Sequence, residues 1–348
     1  MRRIVLLGLL ATAPCFAQSS QSVPQEPTGA DPWFSTFSII AFDPATKEFG
    51  VGVQSRAFGA GAAVPYIETG VGAVATQASA NRQYGPKAMA LLKQGLTPAE
   101  VVKRITDEDP GRDTRQVAVI DAQGRSAVST GKRVIERNFD KNDPVHLGGF
   151  AGHATGNNFS AQGNTLASEE VVKAMAAAYE NGKGSMGERL MDALDAGQAK
   201  GGDTRGMQSA GILVVRPLPP NSESTVERVV DIRVDDAENP FKELRRLLHM
   251  TTGVPNRLTQ RAAALGKEGK WPEAIAEQKK ALEINPRSEQ LQYALAQLYA
   301  QSGDTRNAMA MLDQAIQRQP KVWKPRAADD AAFARLRESA EFKRLVTP

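Results

Sequence analysis

Residues 35–56 read STFSIIAFDPATKEFGVGVQSR and contain two apolar runs, Phe37–Phe42 and Phe49–Val53, on either side of a polar turn at Asp43-Pro44. Runs of this length and composition around such a turn predict a β-hairpin. Thr36 stands at the head of the first predicted strand. From its position, Thr36 is either an ordinary strand residue or a catalytic nucleophile.

The hairpin opens a segment of mixed pattern that extends from Thr36 to Asp235. Short β-branched runs predict strands and longer blocks with helical periodicity predict two pairs of helices. Thr97 and Pro98, with Glu100 three residues after Thr97, predict the start of a helix with a capping box. The predicted strands are Phe37–Phe42, Phe49–Val53, Gly70–Thr76, Gln116–Asp121, Ser126–Thr130, Ala210–Arg216 and Glu227–Val234, and the predicted helices are Tyr84–Gln94, Thr97–Asp107, Ser168–Tyr179 and Ser185–Ala196.

Strands gathered at both ends of the segment, with paired helices between them, favour sheets covered by helix layers over a βαβ alternation. A layered α+β domain of about 200 residues is of ordinary size.

A repeat follows Pro240, where helix-forming residues dominate. The segments KEGKWPEAIAEQKKALEINP and QSGDTRNAMAMLDQAIQRQP match with a spacing of 34 residues, which resembles the tetratricopeptide repeat. Residues 329–346 predict a terminal helix pair that caps the stack. We therefore expect an all-α repeat domain over residues 255–348. The matched positions are Gly269 with Gly303, Ala274 with Ala308, Ala281 with Ala315 and Pro286 with Pro320.

The first 17 residues have the layout of a secretory signal peptide. Arg2 and Arg3 precede the apolar run Ile4–Leu10, and small residues lead to an expected cleavage site after Ala17. Residues 18–34 are polar and rich in Pro, Ser and Gln, so we expect a flexible leader. These features predict a periplasmic or secreted protein, and no stretch is long enough and apolar enough to predict a membrane span.

Composition argues against several other classes of function. The chain has 43 Lys and Arg against 39 Asp and Glu without a concentrated basic run, which argues against a nucleic-acid partner. Its one cysteine, Cys15, lies in the predicted signal peptide, so the mature chain would have neither a disulfide nor a thiol nucleophile. His146, His153 and His249 are far apart and lack metal-ligand spacing, so we predict no metal and no cofactor.

Residues 35–248 contain several motifs that resemble, in the same order, those of a known family. They are TFSIIAFDP, GVGVQSRAFGAGAAVP, GVGAVATQASANRQYG, the QGN of residues 162–164, GGDTRGMQSA and DIRVDDAENPFKELRRLL. Together they resemble the family called domain of unknown function 1028, which is placed in the N-terminal-nucleophile (Ntn) hydrolase superfamily. The resemblance implies a four-layer αββα sandwich with two antiparallel sheets between helix layers.

The resemblance also implies a chemistry for Thr36. In that superfamily the first residue of the mature chain attacks an amide carbonyl while its own α-amine acts as general base, a role that suits a group with a pKa of roughly 7.7–8.0. Signal cleavage would leave about 18 residues before Thr36, so a second cut after Ser35 is required. Gln54 stands where proteasome-type members have an aspartate, Arg56 agrees with them, and residues 62–64 have no equivalent of their lysine.

Two segments supply further candidate residues: residues 201–210, where glycines flank a charged pair, and residues 77–84, between a predicted strand and the first predicted helix. In the segment 201–210, Asp203, Arg205 and Gln208 precede a strand, where they either bind a polar ligand or form an internal ion pair that fixes the turn. We assign these three residues, with Gln54, Arg56 and Gln77, to substrate binding.

Asn81 and Asn164 are candidates for catalytic donors. Each amide either stabilises a reacting carbonyl or has a local role, as a helix cap near Asn81 or a turn residue at Asn164.

Two functions remain open from the sequence. The first is an exported amide hydrolase with Thr36, Asn81 and Asn164 as catalytic residues, whose repeats bind a protein partner or self-associate. The second is a non-catalytic protein on the same fold that binds a small polar ligand such as a sugar or a wall fragment. Fold alone does not decide between them, because function resides in the site.

Overall fold

The computed structural model describes residues 36–137, 149–218, 221, 223 and 226–347. The predicted signal peptide and leader lie outside the described residues, and so does His146. The described residues belong to one compact unit. No helix among them is long and apolar enough to cross a membrane.

The predicted hairpin is present and forms the centre of a six-stranded antiparallel sheet, which we call sheet A. Phe42 pairs with Phe49 across the turn, and the register continues until Thr36 lies opposite Ser55. The strand order is β10-β9-β2-β1-β8-β7. The strands are β1 (Thr36–Phe42), β2 (Phe49–Ser55), β7 (Phe150–Gly156), β8 (Phe159–Leu166), β9 (Ser209–Pro217) and β10 (Val226–Val234).

A second antiparallel sheet, sheet B, contains four strands in the order β3-β4-β5-β6. The two sheets face each other, because one apolar cluster joins Ile40 and Val51 of sheet A to Ala75 and Ala118 of sheet B. The strands are β3 (Pro65–Glu68), β4 (Gly72–Ala78), β5 (Arg115–Asp121) and β6 (Ser126–Thr130). The short helix α1 (Ala60–Ala63) lies between β2 and β3.

Helices cover the outer side of each sheet. On sheet B, α2 (Tyr84–Lys93) and α3 (Pro98–Asp107) pack against Val117 and Val119. The capping box predicted for Thr97 and Glu100 is present. The short helix α4 (Lys132–Arg137) follows β6.

On sheet A the covering helices are α5 (Glu170–Asn181), α6 (Met186–Ala199) and α7 (Pro240–Thr251). Helix α6 lies so close to β2 that a Cβ added at Gly50 would be 2.5 Å from the sulfur of Met186. The glycines of the GVGV motif therefore set the distance between helix and sheet.

The C-terminal region is a stack of helices, as the repeat predicted. Both matched glycines, Gly269 and Gly303, have the left-handed backbone of a turn between paired helices, with φ of 74° and 90°. The four matched alanines are fully buried, which lets the helices approach closely. The helices are α8 (Val254–Lys267), α9 (Trp271–Ile284), α10 (Glu289–Ser302), α11 (Thr305–Arg318), α12 (Pro320–Asp329) and α13 (Ala340–Val346).

The predicted terminal helix pair over residues 329–346 is only partly correct. The structure has a 3₁₀ turn, Ala331–Phe333, followed by the single helix α13. Asp330 stops α12, since its side chain accepts from the backbone N–H of Ala332 at 2.9 Å. The capping function remains, because Phe333 and Phe342 are buried in the same apolar cluster as Trp323.

Candidate functional site

Thr36 occupies the first position of β1, with only 2% of its surface exposed. Side chains alternate across a strand, so Thr36 points into the space between the sheets, as Ile40 does on the same strand. Its Oγ1 lies 3.0 Å from Oγ of Ser55 on the neighbouring strand. The pair is a direct consequence of the hairpin register.

Two amide side chains hold the main chain of Thr36. Gln77 Nε2 on sheet B and Asn164 Nδ2 on β8 donate to the carbonyl oxygen of Thr36 at 3.2 and 3.4 Å. Each of these nitrogens also donates to Gln116 Oε1, at 2.7 and 3.1 Å. Since both nitrogens already serve these acceptors, Gln77 and Asn164 position Thr36 here and are not free donors.

Further neutral groups extend this arrangement through the sheets. Ser38 Oγ donates to Gln77 Oε1 at 2.6 Å and accepts from Gln162 Nε2 at 2.7 Å, while Gln116 Nε2 donates to the carbonyl of Gly163 at 3.0 Å. We call the whole set the inter-sheet network. Its members are buried amides and hydroxyls: Thr36, Ser38, Ser55, Gln77, Gln116, Ser160, Gln162 and Asn164.

Backbone strain lies next to the inter-sheet network. Ala78 follows Gln77 with φ of 59°, and Thr165 follows Asn164 with φ of 54°. A left-handed conformation is costly for a residue with a Cβ, most of all for a β-branched one such as Thr165. Strained residues of this kind cluster at functional sites, so their place beside both amides marks this end of the sheets as a candidate site.

Gln54 does not join the group around Thr36. It lies opposite Phe37, on the face of sheet A that α6 covers, because it is one residue out of phase with Ser55. Its Nε2 donates to the carbonyl of Gly206 at 3.3 Å, and its buried Oε1 has no hydrogen-bond partner. The side chain at the position of the proteasome-type aspartate therefore points away from the Thr36 hydroxyl.

Asn81 also lies elsewhere, on the outer side of sheet B. Its Nδ2 donates to Asp109 Oδ2 at 2.9 Å, and the same carboxylate accepts from Tyr84 Oη at 2.7 Å and from Arg115 Nε at 2.5 Å. We call these four residues the Asp109 cluster. A helix-cap role fits the Asn81 geometry, since its Oδ1 accepts from the backbone N–H of Gln83 at 3.0 Å.

The Asp109 cluster perturbs both of its acids. Burial raises the pKa of the Asp109 carboxyl, but the hydrogen bonds from Arg115, Asn81 and Tyr84 outweigh that effect and hold the pKa well below its usual range. Burial and the bond to Asp109 raise the pKa of the Tyr84 phenol. The cluster is a closed arrangement of paired groups, which is typical of a structural role.

Asp203 and Arg205 form an internal ion pair, which was one of the two alternatives predicted for this turn. Arg205 contacts the Asp203 carboxylate at 3.3 Å, and the carboxylate also accepts from the backbone N–H of Arg56 at 3.1 Å. The Asp203 side chain thus fixes the end of β2, next to Ser55. Arg56 itself is exposed and donates to Gln208 Oε1 at 3.0 Å.

Sequence reasoning missed five members of the site: Ser38, Ser55, Gln116, Ser160 and Gln162. A signal for Ser55 was present, since counting back from the pairing of Phe42 with Phe49 places Ser55 opposite Thr36. Gln116 had no such signal, because it reaches the site from the other sheet. No group of three or more metal-ligating side chains occurs in the part of the chain that the structure describes.

A family model described as "Family of unknown function (DUF1028)" matches residues 36–244. The chain belongs to this family. A tetratricopeptide repeat model matches residues 267–338. A DUF1028 protein from Silicibacter pomeroyi, solved by crystallography, is similar at 29% sequence identity and a TM-score of 0.52, covering 63% of this chain and 89% of that one. No curated protein matches the chain.

The DUF1028 match begins at Thr36 and contains the whole inter-sheet network. Thr36 is therefore the first matched residue as well as the first residue of β1. The Asp109 cluster and the Asp203 turn also lie within the DUF1028 domain. Helices α9, α10 and α11 lie within the repeat match.

Proposed function

We propose that this protein is an amide-bond hydrolase of the Ntn type, with Thr36 as the nucleophile. The observation that supports it is the position of Thr36, which begins the central strand with its hydroxyl 3.0 Å from Ser55 and its carbonyl held by two amides. These three hydrogen bonds hold the nucleophile in one geometry, as catalysis requires.

We propose that the DUF1028 domain, residues 35–248, is a four-layer αββα sandwich of the Ntn type. Three apolar clusters support this: one between the sheets, one under α2 and α3, and one under α5, α6 and α7. Residues 255–348 then form the repeat domain.

The proposed reaction needs a cut between Ser35 and Thr36, which frees the α-amine. That amine takes the proton from Thr36 Oγ1 as the oxygen attacks the substrate carbonyl, and returns it to the leaving amine when the C–N bond breaks. Ester hydrolysis by water regenerates the enzyme. Ser55, Gln77 and Asn164, the side chains that hold Thr36, are neutral, so the α-amine is the base that this geometry can supply.

The roles of the neighbours follow from their contacts. Ser55 orients the Thr36 hydroxyl, and Gln77 and Asn164 hold its carbonyl. Arg56 lies at the exposed end of β2, where it is available to a substrate carboxylate. Asn81 stabilises the Asp109 cluster and has no part in the chemistry.

Replacement of Thr36 tests the proposal. Protein from an exporting cell is assayed for amine release from a panel of aminoacyl and peptidyl amides. Thr36→Ala should abolish turnover of any amide that the wild type cleaves, and Thr36→Ser should retain part of it. Thr155→Ala, an exposed threonine on the same sheet, is the matched control and should behave as wild type. Unchanged turnover in Thr36→Ala would exclude Thr36 as the nucleophile.

A second candidate is a non-catalytic protein that binds a small polar ligand such as a sugar or a wall fragment. The observation that favours it is the neutrality of the inter-sheet network, which contains no acid or base. Amides and hydroxyls suit hydrogen bonding to an uncharged ligand. A binding protein would bind its ligand without turnover in the wild type and would show no turnover in Thr36→Ala.

We also propose that the chain is exported to the periplasm or secreted, because its first 17 residues have the layout of a signal peptide.

We propose in addition that the repeats bind a protein partner or self-associate. A groove of about 390 Å³ between α8 and α10, lined by Trp271, Gln278 and Leu298, supports this role of the repeats. Light scattering and co-purification with Gln301→Arg, in the groove, against Gln317→Arg, outside it, test the role of the repeats.

A further inference from the structure

A second cavity lies where the DUF1028 domain meets the repeats. It has a volume of about 630 Å³ and is bounded by α6, α7 and the end of α9. We call it the α7–α9 cleft. Its size is that of a small-molecule site, and such sites form preferentially between domains.

The α7–α9 cleft is separate from the inter-sheet network. Its lining includes Phe241, whose ring packs edge-on against Phe37 with 6.4 Å between centroids. Phe37 points to the opposite face of β1 from its neighbour Thr36. Sheet A therefore lies between the cleft and the Thr36 hydroxyl.

Most of the charges in the cleft are already paired. Arg245 binds Asp192 and Asp195, and Arg246 makes two hydrogen bonds to Glu243. Arg246 also donates to the carbonyl of Ile284, the last residue of α9, at 2.6 Å. This contact joins α7 to α9 and holds the two sides of the cleft together.

Two opposite charges in the lining make no ion pair within the described residues. They are the ammonium of Lys242 in the first turn of α7 and the carboxylate of Glu283 in the last turn of α9. Each charge has the same sign as the helix end on which it lies. The positive N-terminal end of the α7 dipole adds to Lys242, and the negative C-terminal end of the α9 dipole adds to Glu283. The cleft thus presents a positive wall and a negative wall.

Other groups in the lining favour a ligand with an apolar body. The Gln198 side chain lines the cleft, but its Oε1 is buried against Gly202, where an added Cβ would be 2.4 Å away, so it is not open to a ligand. Met207, Phe241 and Ile284 supply apolar surface. A zwitterion with an apolar side chain satisfies all of these groups together.

We propose that the α7–α9 cleft binds a short zwitterionic peptide with an apolar side chain. Lys242 binds the peptide carboxylate, Glu283 binds its ammonium group, and the apolar side chain of the peptide packs against Met207, Phe241 and Ile284. The site does not depend on the proposed hydrolase activity, because it lies across sheet A from Thr36.

The test is isothermal titration of the full chain with L-alanyl-L-leucine and two analogues, the N-acetyl dipeptide and the dipeptide carboxamide. The free dipeptide should bind at least tenfold more tightly than either analogue, because each analogue lacks one charge. Lys242→Met should weaken binding of the free dipeptide about tenfold and leave binding of the carboxamide unchanged. Glu283→Gln should do the same for the free dipeptide and spare the N-acetyl form.

The controls use exposed charges elsewhere on the repeats. Lys321→Met and Glu273→Gln should bind the free dipeptide as the wild type does, and so should Thr36→Ala. Lys242 is exposed, so its variant should keep the wild-type melting temperature. The proposal is overturned by absence of binding at millimolar dipeptide, by equal affinity for the carboxamide, or by wild-type affinity in both Lys242→Met and Glu283→Gln.

Discussion

The inter-sheet network and the Asp109 cluster lie on opposite sides of sheet B and differ in chemistry. The network is built from neutral amides and hydroxyls, whereas the cluster is built around a carboxylate and a guanidinium. Gln77 and Asn81 are only four residues apart, yet one belongs to the network and the other to the cluster. In this domain the charged group of buried residues, the Asp109 cluster, therefore has a structural role, whereas the candidate site around Thr36 is uncharged.

Loss of the Asp109 carboxylate should have the largest effect on stability. Asp109→Asn leaves Arg115 without its partner, and breaking a buried pair in this way costs about 3 kcal/mol of unfolding free energy. Urea denaturation measures the loss. Asp113→Asn, at an exposed position nearby, is the control and should stay within about 0.5 kcal/mol of wild type. A loss below about 1 kcal/mol in Asp109→Asn contradicts the structural role of the cluster.

Gln116→Leu should have the next largest effect, because it removes the amide that joins both sheets. The amides of Gln77 and Asn164 lose a buried acceptor, and each unsatisfied group costs about 1–3 kcal/mol. We expect a total loss of about 2 kcal/mol by urea denaturation, together with loss of any amidase turnover. Gln123→Leu, exposed at the far end of β5, should change neither quantity.

Substitution of Asn81 and of Asn164 distinguishes the Asp109 cluster from the inter-sheet network most directly. Asn81→Ala should cost about 1.5 kcal/mol, since it removes a hydrogen bond to a charged group, and should leave amidase turnover intact. Asn164→Ala should cost about as much stability and should also lower turnover, because Thr36 loses a positioning contact. Parallel urea and activity measurements compare them. Equal loss of turnover in both variants would show that the distinction between the clusters is wrong.

Acid should weaken the Asp109 cluster while leaving the neutral network unchanged. The folded pKa of Asp109 is lowered, so its contribution is present above the unfolded pKa of about 3.9 and is lost as pH falls toward the folded value. Between pH 7 and pH 3 the stability difference between wild type and Asp109→Asn should shrink by about 1 kcal/mol. The difference between wild type and Gln116→Leu should not depend on pH in this way, as urea denaturation at both pH values can show.

The regular parts of the fold were predictable because their residues repeat with the period of their structure. The strands predicted at Phe37–Phe42 and Ser126–Thr130 are present, and so are the paired helices and the 34-residue repeat. Strand β8 was missed for a physical reason. Its inward positions carry Ser160, Gln162 and Asn164, and residues 160–164 include no β-branched or aromatic residue, so the composition typical of a strand is absent.

The candidate site was harder to predict than the regular elements, because its polar residues come from several strands and meet only in the folded sheets. Thr36 and Gln77 were chosen from their places at strand ends, and the structure brings them together. Asn164 joins them, but from within a strand and not from the turn considered as its alternative. Gln54 lies on the predicted strand but on the opposite face of sheet A from Ser55, since one residue of register decides the face. Asn81 lies in the connection between β4 and α2, where it bonds to Asp109 on the outer side of sheet B.

We propose that Thr36 acts as a nucleophile with a free α-amine. Intact mass and N-terminal sequencing of the protein recovered from an exporting cell test it most directly. We predict a mature chain that begins at Thr36, and an uncut Ser35–Thr36 bond in the Thr36→Ala variant if Thr36 performs the cut. A mature chain that begins at Gln18, with no Thr36 terminus detected, would contradict the claim.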